Sequence, residues 1–147
     1  MAGADGADFR VAPAVTSAEL SKLFADSWPD HRERDFEPVL ARSLTYVCCY
    51  RGDELIGFVN VAWDGGVHAF LLDVTVHPGE RRRGLGVELV TRATAVCRER
   101  GMEWLHVDYE ARLAPFYGRC GFAGTAAGLM RLDEAPGQPP GSRPRAS

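Results

Sequence analysis

One stretch constrains the fold of this 147-residue chain more than any other. Residues 70–101 read FLLDVTVHPGERRRGLGVELVTRATAVCRERG. Phe70 to Val76 has the composition of a buried strand, and Pro78-Gly79 ends it. Arg81-Arg82-Arg83-Gly84-Leu85-Gly86 is a basic, glycine-bearing turn that opens straight into a helix. Leu85, Leu89, Val90, Ala93, Val96 and Cys97 share one face of that helix, with Glu88, Thr91, Arg92, Arg98 and Glu99 opposite. Gly101 stops it in the C′ manner. Trp104 to Tyr109 is strand again. A strand, a crossover helix and a strand make the two strands parallel and the crossover right-handed.

The rest of the chain fits around this unit. Phe9 to Ala12 alternates as a short strand, and Thr16-Ser17-Ala18-Glu19 has the spacing of a capping box for a helix over 17–25. A shorter helix begins after Asp35, with Pro38 in its first turn, where the missing N–H costs little. Leu44–Tyr50, Leu55–Trp63 and Val67–Val76 are strands joined by the short turns at Arg51-Gly52-Asp53 and Asp64-Gly65-Gly66, so they form an antiparallel meander. Leu113–Cys120 is a last short helix, and 122–125 with 129–132 reads as a closing hairpin. The order β-α-α-β-β-β-α-β-α-β-β predicts an α/β (α+β) fold, a mixed sheet with helices packed on it. Residues 9–132 are expected to form one domain, with 1–8 and the Pro/Gly-rich 133–147 disordered on composition.

Composition narrows the function. With 46% hydrophobic and 25% charged residues and a net charge of -3, the chain reads as an ordinary soluble globule rather than a nucleic-acid binder. No apolar run approaches the roughly 18–20 residues of a membrane span, and MAGADGADFR lacks the pattern of a secretory signal. Cys48, Cys49, Cys97 and Cys120 have neither C-x-x-C nor metal-ligand spacing, so free thiols in a cytoplasmic setting and no metal are expected.

The basic turn has its own chemistry. A helix N-terminus presents unpaired N–H groups and a partial positive charge. Gly84 and Gly86 let the backbone approach a ligand, and the arginines add charge-assisted bonds to an anion. A solvated basic turn that merely caps a helix is the competing reading. A dinucleotide fingerprint would need a third glycine where Leu89 stands, and a P-loop would need G-K-[ST], which is missing.

Two motifs decide between these readings. Val76-His77-Pro78 precedes Arg81-Arg82-Arg83-Gly84-Leu85-Gly86, and Phe116-Tyr117-Gly118-Arg119-Cys120-Gly121-Phe122 follows in the last third. Together they resemble the V-x-P…[R/Q]-x-x-G-x-[G/A] and [F/L]-Y-x-x-x-G-F signatures of the GNAT superfamily of acyl-CoA-dependent N-acetyltransferases, over about residues 9–132. The resemblance implies a splayed sheet of about six or seven strands, with about four helices. It implies acetyl-CoA as acyl donor, its pyrophosphate held by backbone N–H groups of Arg81, Arg82, Arg83, Gly84, Leu85, Gly86 and Val87. Val74, Thr75 and Val76 would offer backbone groups to the pantetheine arm, and Tyr117 would protonate the leaving thiolate. Where many members carry asparagine seven residues before that tyrosine, this chain has Glu110, which puts a carboxylate beside the acceptor pocket instead. A homodimer is compatible with the family, in which dimers are frequent.

The resemblance implies a small-molecule or peptide amine as acceptor, which would have to lose a proton before it attacks. Asp73, His106, Asp108 and Glu110 lie near the ends of the two strands that would splay; Asp73 and Asp108 are the candidate bases. Trp28, in the break between the first two helices, either stacks on the acceptor or closes the core. His77 and His68 read as surface histidines. A CoA-binding or interaction module without catalysis, or an unrelated nucleotide-binding enzyme, are the alternatives.

Overall fold

The structure, a computed structural model, describes residues 6–133. Residues 1–5 and 134–147, the bulk of the two expected tails, lie outside the described residues. The elements run β1 (Asp8–Val11), α1 (Ser17–Ser27), α2 (Glu37–Arg42), β2 (Thr45–Arg51), β3 (Glu54–Trp63), β4 (His68–Val76), α3 (Leu85–Glu99), β5 (Trp104–Val107) and α4 (Ala114–Arg119). Single 3-10 turns at Pro78–Glu80 and Ala111–Leu113 precede α3 and α4. Strand β1 starts one residue before the expected Phe9, with Ala7 already buried.

The capping box forms as spelled. The Thr16 hydroxyl accepts from Glu19 N–H at 3.1 Å, and the Glu19 carboxylate accepts from Thr16 N–H at 3.3 Å. Helix α1 runs two residues past the expected end at residue 25. The Ser27 hydroxyl donates to the Leu23 carbonyl at 2.7 Å, and Trp28 N–H donates to Phe24 at 2.7 Å. These bonds satisfy carbonyls that a helix end leaves open.

The sheet order is β1-β2-β3-β4-β5. Neighbours are antiparallel as far as β4, and β4 pairs with β5 in parallel through the α3 crossover. Each face carries its own core. Helix α3 lays Leu89, Val90 and Ala93 on Val47, Val59, Val61 and Leu71, all buried. Helix α1 lays Leu20, Leu23 and Phe24 on Cys48, Tyr50 and Phe58 on the other face, and Phe36, just ahead of α2, joins them. Cys48 and Cys49 therefore point to opposite faces, as alternation requires. Burying one such aliphatic side chain stabilises the fold by about 1.5–3 kcal/mol. The α2 end is fixed to the sheet where the Ser43 hydroxyl donates to Asn60 Oδ1.

One expectation is corrected. Residues 122–125 and 129–132 form no strand, so the sheet has five strands rather than six or seven. Gly124, Ala126, Ala127 and Gly128 have little side chain to pack, and Met130 and Leu132 stand 79% and 86% exposed. A strand is held by packing on a half-buried face, and beyond the half-buried Phe122 this segment is exposed throughout. Strand β5 is left at the edge. No helix among the described residues is long and apolar enough to cross a membrane.

Candidate active site

Strand β4 changes character partway along. It pairs with β5 only through His68–Trp104, Ala69–Leu105, Phe70–His106 and Leu71–Val107. Beyond Leu71 it loses that neighbour while keeping β3 on its other side. There its register against β3 shifts between Phe58 and Asn60, and Asp73 takes a φ of +57°. A non-glycine residue in that region is strained, and the bulge re-aims the strand. The Thr75 hydroxyl holds the distortion by donating to the Asp73 carbonyl at 2.9 Å. The two strands part at this point.

A cleft of about 300 Å³ occupies the opening. Val74, Thr75 and Val76 of β4 line it together with Arg81 and Gly86 of the glycine turn. Arg112, Leu113 and Phe116 complete the lining with Trp28, the C-cap of α1. Trp28 is stacked on Phe24, centroids 4.6 Å apart and planes 19° apart, so it closes the second core and walls the cleft at once.

The glycine turn contributes Arg81 and Gly86 to the cleft lining. Arg82 and Gly84 both have positive φ, +66° and +76°, and Gly84 is the N-cap of α3 without a side-chain cap. The first intrahelical bond is Glu88 N–H to Gly84 at 3.1 Å. The N–H groups of Leu85, Gly86 and Val87 thus precede the ladder, in a backbone concavity of the kind that binds anions. The arginines divide their work. Arg81 donates to the Val76 carbonyl at 3.3 Å and lines the cleft. Arg83 lies 3.6 Å from Glu80, whose carboxylate grips Arg51 through two bonds of 3.0 and 2.9 Å. Arg51 holds the Glu80 carboxyl below the usual carboxylate range. The turn is bolted in this way to the β2–β3 hairpin.

Gly86 has a second role beside the one its sequence suggests. A Cβ there would meet the Phe116 ring at 3.1 Å. The glycine admits a side chain of the second motif as much as a ligand.

Tyr117 is wholly buried, next to the cleft-lining Phe116 but outside the lining itself. Its ring stacks on Tyr109 at 4.7 Å and meets Phe116 edge-on at 4.9 Å. Burial pushes its hydroxyl above the ordinary tyrosine range, so the group is a protonated donor at neutral pH. Asp73 lies in the bulge and Asp108 follows β5; neither lines the cleft. Glu110 also stands outside it, bonded to Arg112 at 3.0 Å. His106 is engaged with His68, their ring nitrogens 2.9 Å apart, and stacks on Phe70. The acidic 26–35 segment is partly structural, since Asp35 accepts from the Ser17 hydroxyl and from Glu37 N–H. Arg112 and Leu113 are the lining residues that sequence reading passes over. Leu113 looks like core, and Arg112 carries no motif signal.

The fold that carries this cleft superposes on those of solved acetyltransferases. Residues 15–122 match the Acetyltransferase (GNAT) family, and the chain belongs to it. It is 33% identical over 123 residues to the streptothricin acetyltransferase of Streptomyces lavendulae, covering 81% of this chain and 64% of that relative's length. A protein of Deinococcus radiodurans R1, provisionally described as an acetyltransferase, superposes with a TM-score of 0.75 at 28% identity, over 90% of this chain and 94% of that one. Aminoglycoside N-acetyltransferase AAC(6')-Iy, solved in complex with CoA, shares the fold at a TM-score of 0.70 and 20% identity, over 85% and 93% of the two chains.

Proposed function

We propose that this protein is an N-acetyltransferase that moves an acetyl group from acetyl-CoA to a primary amine by direct attack on the thioester. The observation that carries the reading is the N-terminus of α3, whose first N–H groups precede the helical ladder and whose Gly86 lines the same cleft as Val74 to Val76 of β4. The first three N–H groups of α3, with Arg81, suit a pyrophosphate. The peptide groups of Val74 to Val76 suit the amides of the pantetheine arm, which would lie along β4 as an added strand. A neutral amine attacks the carbonyl carbon, the carbon–sulfur bond breaks, and Tyr117 gives its proton to the departing thiolate. Asp73 and Asp108, beside the gap on β4 and just after β5, are the carboxylates assigned to take the amine's proton, directly or through water. Trp28 and Glu110 lie on the acceptor side. Positioning and polarisation of the carbonyl by backbone N–H groups supply most of the acceleration.

The relatives suggest where to look for the acceptor. A streptothricin acetyltransferase and an aminoglycoside N-acetyltransferase are both named for amine-bearing antibiotics. Compounds of these two classes belong in an amine panel beside polyamines, amino acids and peptides.

The test is a thermal shift with acetyl-CoA, then thiol release over that panel with wild type and Tyr117→Phe. Stabilisation by acetyl-CoA and turnover on at least one amine are expected, with kcat about 100-fold lower in the variant at similar CoA affinity. Equal kcat in the two proteins removes Tyr117 from the mechanism. One observation favours a second reading, a CoA-binding module without catalysis: Tyr117 is buried and outside the cleft lining. Binding of acetyl-CoA with no turnover across the panel supports that module.

A further inference from the structure

His77 stands between Val76 and Pro78 of the first motif, and its ring is occupied at both nitrogens. Gly79 N–H donates to Nδ1 at 3.0 Å. That bond makes Nδ1 an acceptor, so the proton sits on Nε2. Nε2 lies 3.3 Å from Asp26 Oδ2, in the last turn of α1. The same carboxylate oxygen accepts from Lys22 at 2.9 Å. The backbone of His77 is pinned too: its N–H donates to the Ile56 carbonyl at 2.8 Å, and its carbonyl accepts from Glu80 N–H at 2.8 Å. With its side chain only 27% exposed, His77 is a half-buried brace rather than a surface residue.

The two ends of this brace lead to two separate stretches of the cleft lining. The Nδ1 end closes the Pro78–Glu80 turn, whose C-cap is Arg81, the first residue of the glycine turn and a lining residue. The Nε2 end holds the last turn of α1, and the next residue but one after Asp26 is Trp28, which lines the same cleft. We propose that His77 is a positioning residue that couples the donor turn to the acceptor-side wall through its two ring nitrogens. Binding at Arg81–Gly86 fixes the turn, the turn fixes the imidazole, and the imidazole fixes α1 at Asp26 and hence Trp28. This rests on the acetyltransferase reading above.

The two ends separate by substitution. In His77→Asn the amide oxygen falls near the place of Nδ1 and keeps the bond to Gly79, while the reach to Asp26 is lost. In His77→Gln the amide nitrogen falls near the place of Nε2 and keeps Asp26, while the acceptor for Gly79 is lost. Asp26→Ala cuts the tie from the α1 side without touching the turn, and so carries the test if a His77 variant fails to fold. The full chain is titrated with CoA by calorimetry, and amide exchange over residues 24–28 is followed with and without CoA.

The Gln variant should bind CoA about 3- to 10-fold more weakly than the Asn variant, the size of one lost hydrogen bond. In wild type, CoA should slow exchange over 24–28 by about threefold or more. The Asn variant and Asp26→Ala should bind CoA and show no such slowing. Equal CoA affinity in the Asn and Gln variants, or CoA-dependent protection of 24–28 that survives both His77→Asn and Asp26→Ala, overturns the coupling and leaves the acetyltransferase reading standing. A wild-type protein that binds no CoA overturns both.

Discussion

The Phe116 ring lies against the bare Cα of Gly86, so close that a Cβ built there would meet Cε1 at 3.1 Å and Cζ at 3.2 Å. The second motif is thus packed directly on the first. Gly86→Ala gains at most about 1 kcal/mol of helix propensity and costs about 1–3 kcal/mol in crowding. Its expected net effect is a loss of up to about 2 kcal/mol in urea unfolding. Phe116→Leu should relieve most of that loss in the double variant, giving a coupling energy of about 1 kcal/mol. Additive single effects would show that the two residues do not share the space.

Gly84 tests the backbone rather than the space. Its φ is +76° and nothing lies within 4 Å of a built Cβ, so any penalty is conformational. Gly84→Ala should cost about 1–2 kcal/mol, and Gly84→Asn clearly less, because asparagine tolerates this region. Equal stability of wild type and the alanine variant in denaturant melts would refute the left-handed cap.

The Glu80–Arg51 grip predicts a pH dependence with a definite sign. The folded-state pKa of Glu80 is lowered, first by its bond to Arg51. Its contribution is therefore complete above the unfolded value of about 4.3, and fades as pH falls through the folded one. Glu80→Gln should lower stability by about 1 kcal/mol at neutral pH, and the gap from wild type should close at low pH. A melting-temperature gap that widens on acidification would contradict the assignment.

Thiol chemistry should separate one cysteine from three. Cys48, Cys49 and Cys97 are buried and Cys120 is half-buried. Burial pushes the Cys48 thiol up to about 12 and the Cys49 thiol up to about 11. In the native state near pH 8, iodoacetamide should label Cys120 first and leave Cys48 and Cys49 intact, since the thiolate is the nucleophile. Early labelling of either by mass spectrometry would show that the sheet opens locally.

Much of this architecture is written in local chemistry. Thr16 and Glu19 start α1 where their spacing says, and the short turns at Gly52 and Gly65 make the meander unavoidable. The two motifs identify the family because they are backbone signals, a helix start and a helix end. The bulge at Asp73 is illegible: alternation through FLLDVTV assumes a regular strand, and nothing in a single aspartate announces a left-handed φ. Arg112 escapes notice because a wall residue contributed by one 3-10 turn has no periodicity. The closing hairpin fails for the opposite reason. Phe122 and Leu129 to Leu132 have strand composition, but their neighbours are too small to give the segment a face to bury. Tyr117 shows the limit for the site. The motif marks the residue, and only packing against Tyr109 and Phe116 reveals how deeply it is enclosed.

The parting of β4 from β5 gives the protein a sheet edge inside its own body. On the outside of a molecule, a strand shorn of a neighbour is a template for aggregation. Here Val74 to Val76 line a cleft together with Trp28 and Phe116. That edge lines a cleft of about 300 Å³ rather than an open surface, so the feature that elsewhere invites strand addition is here confined to a site.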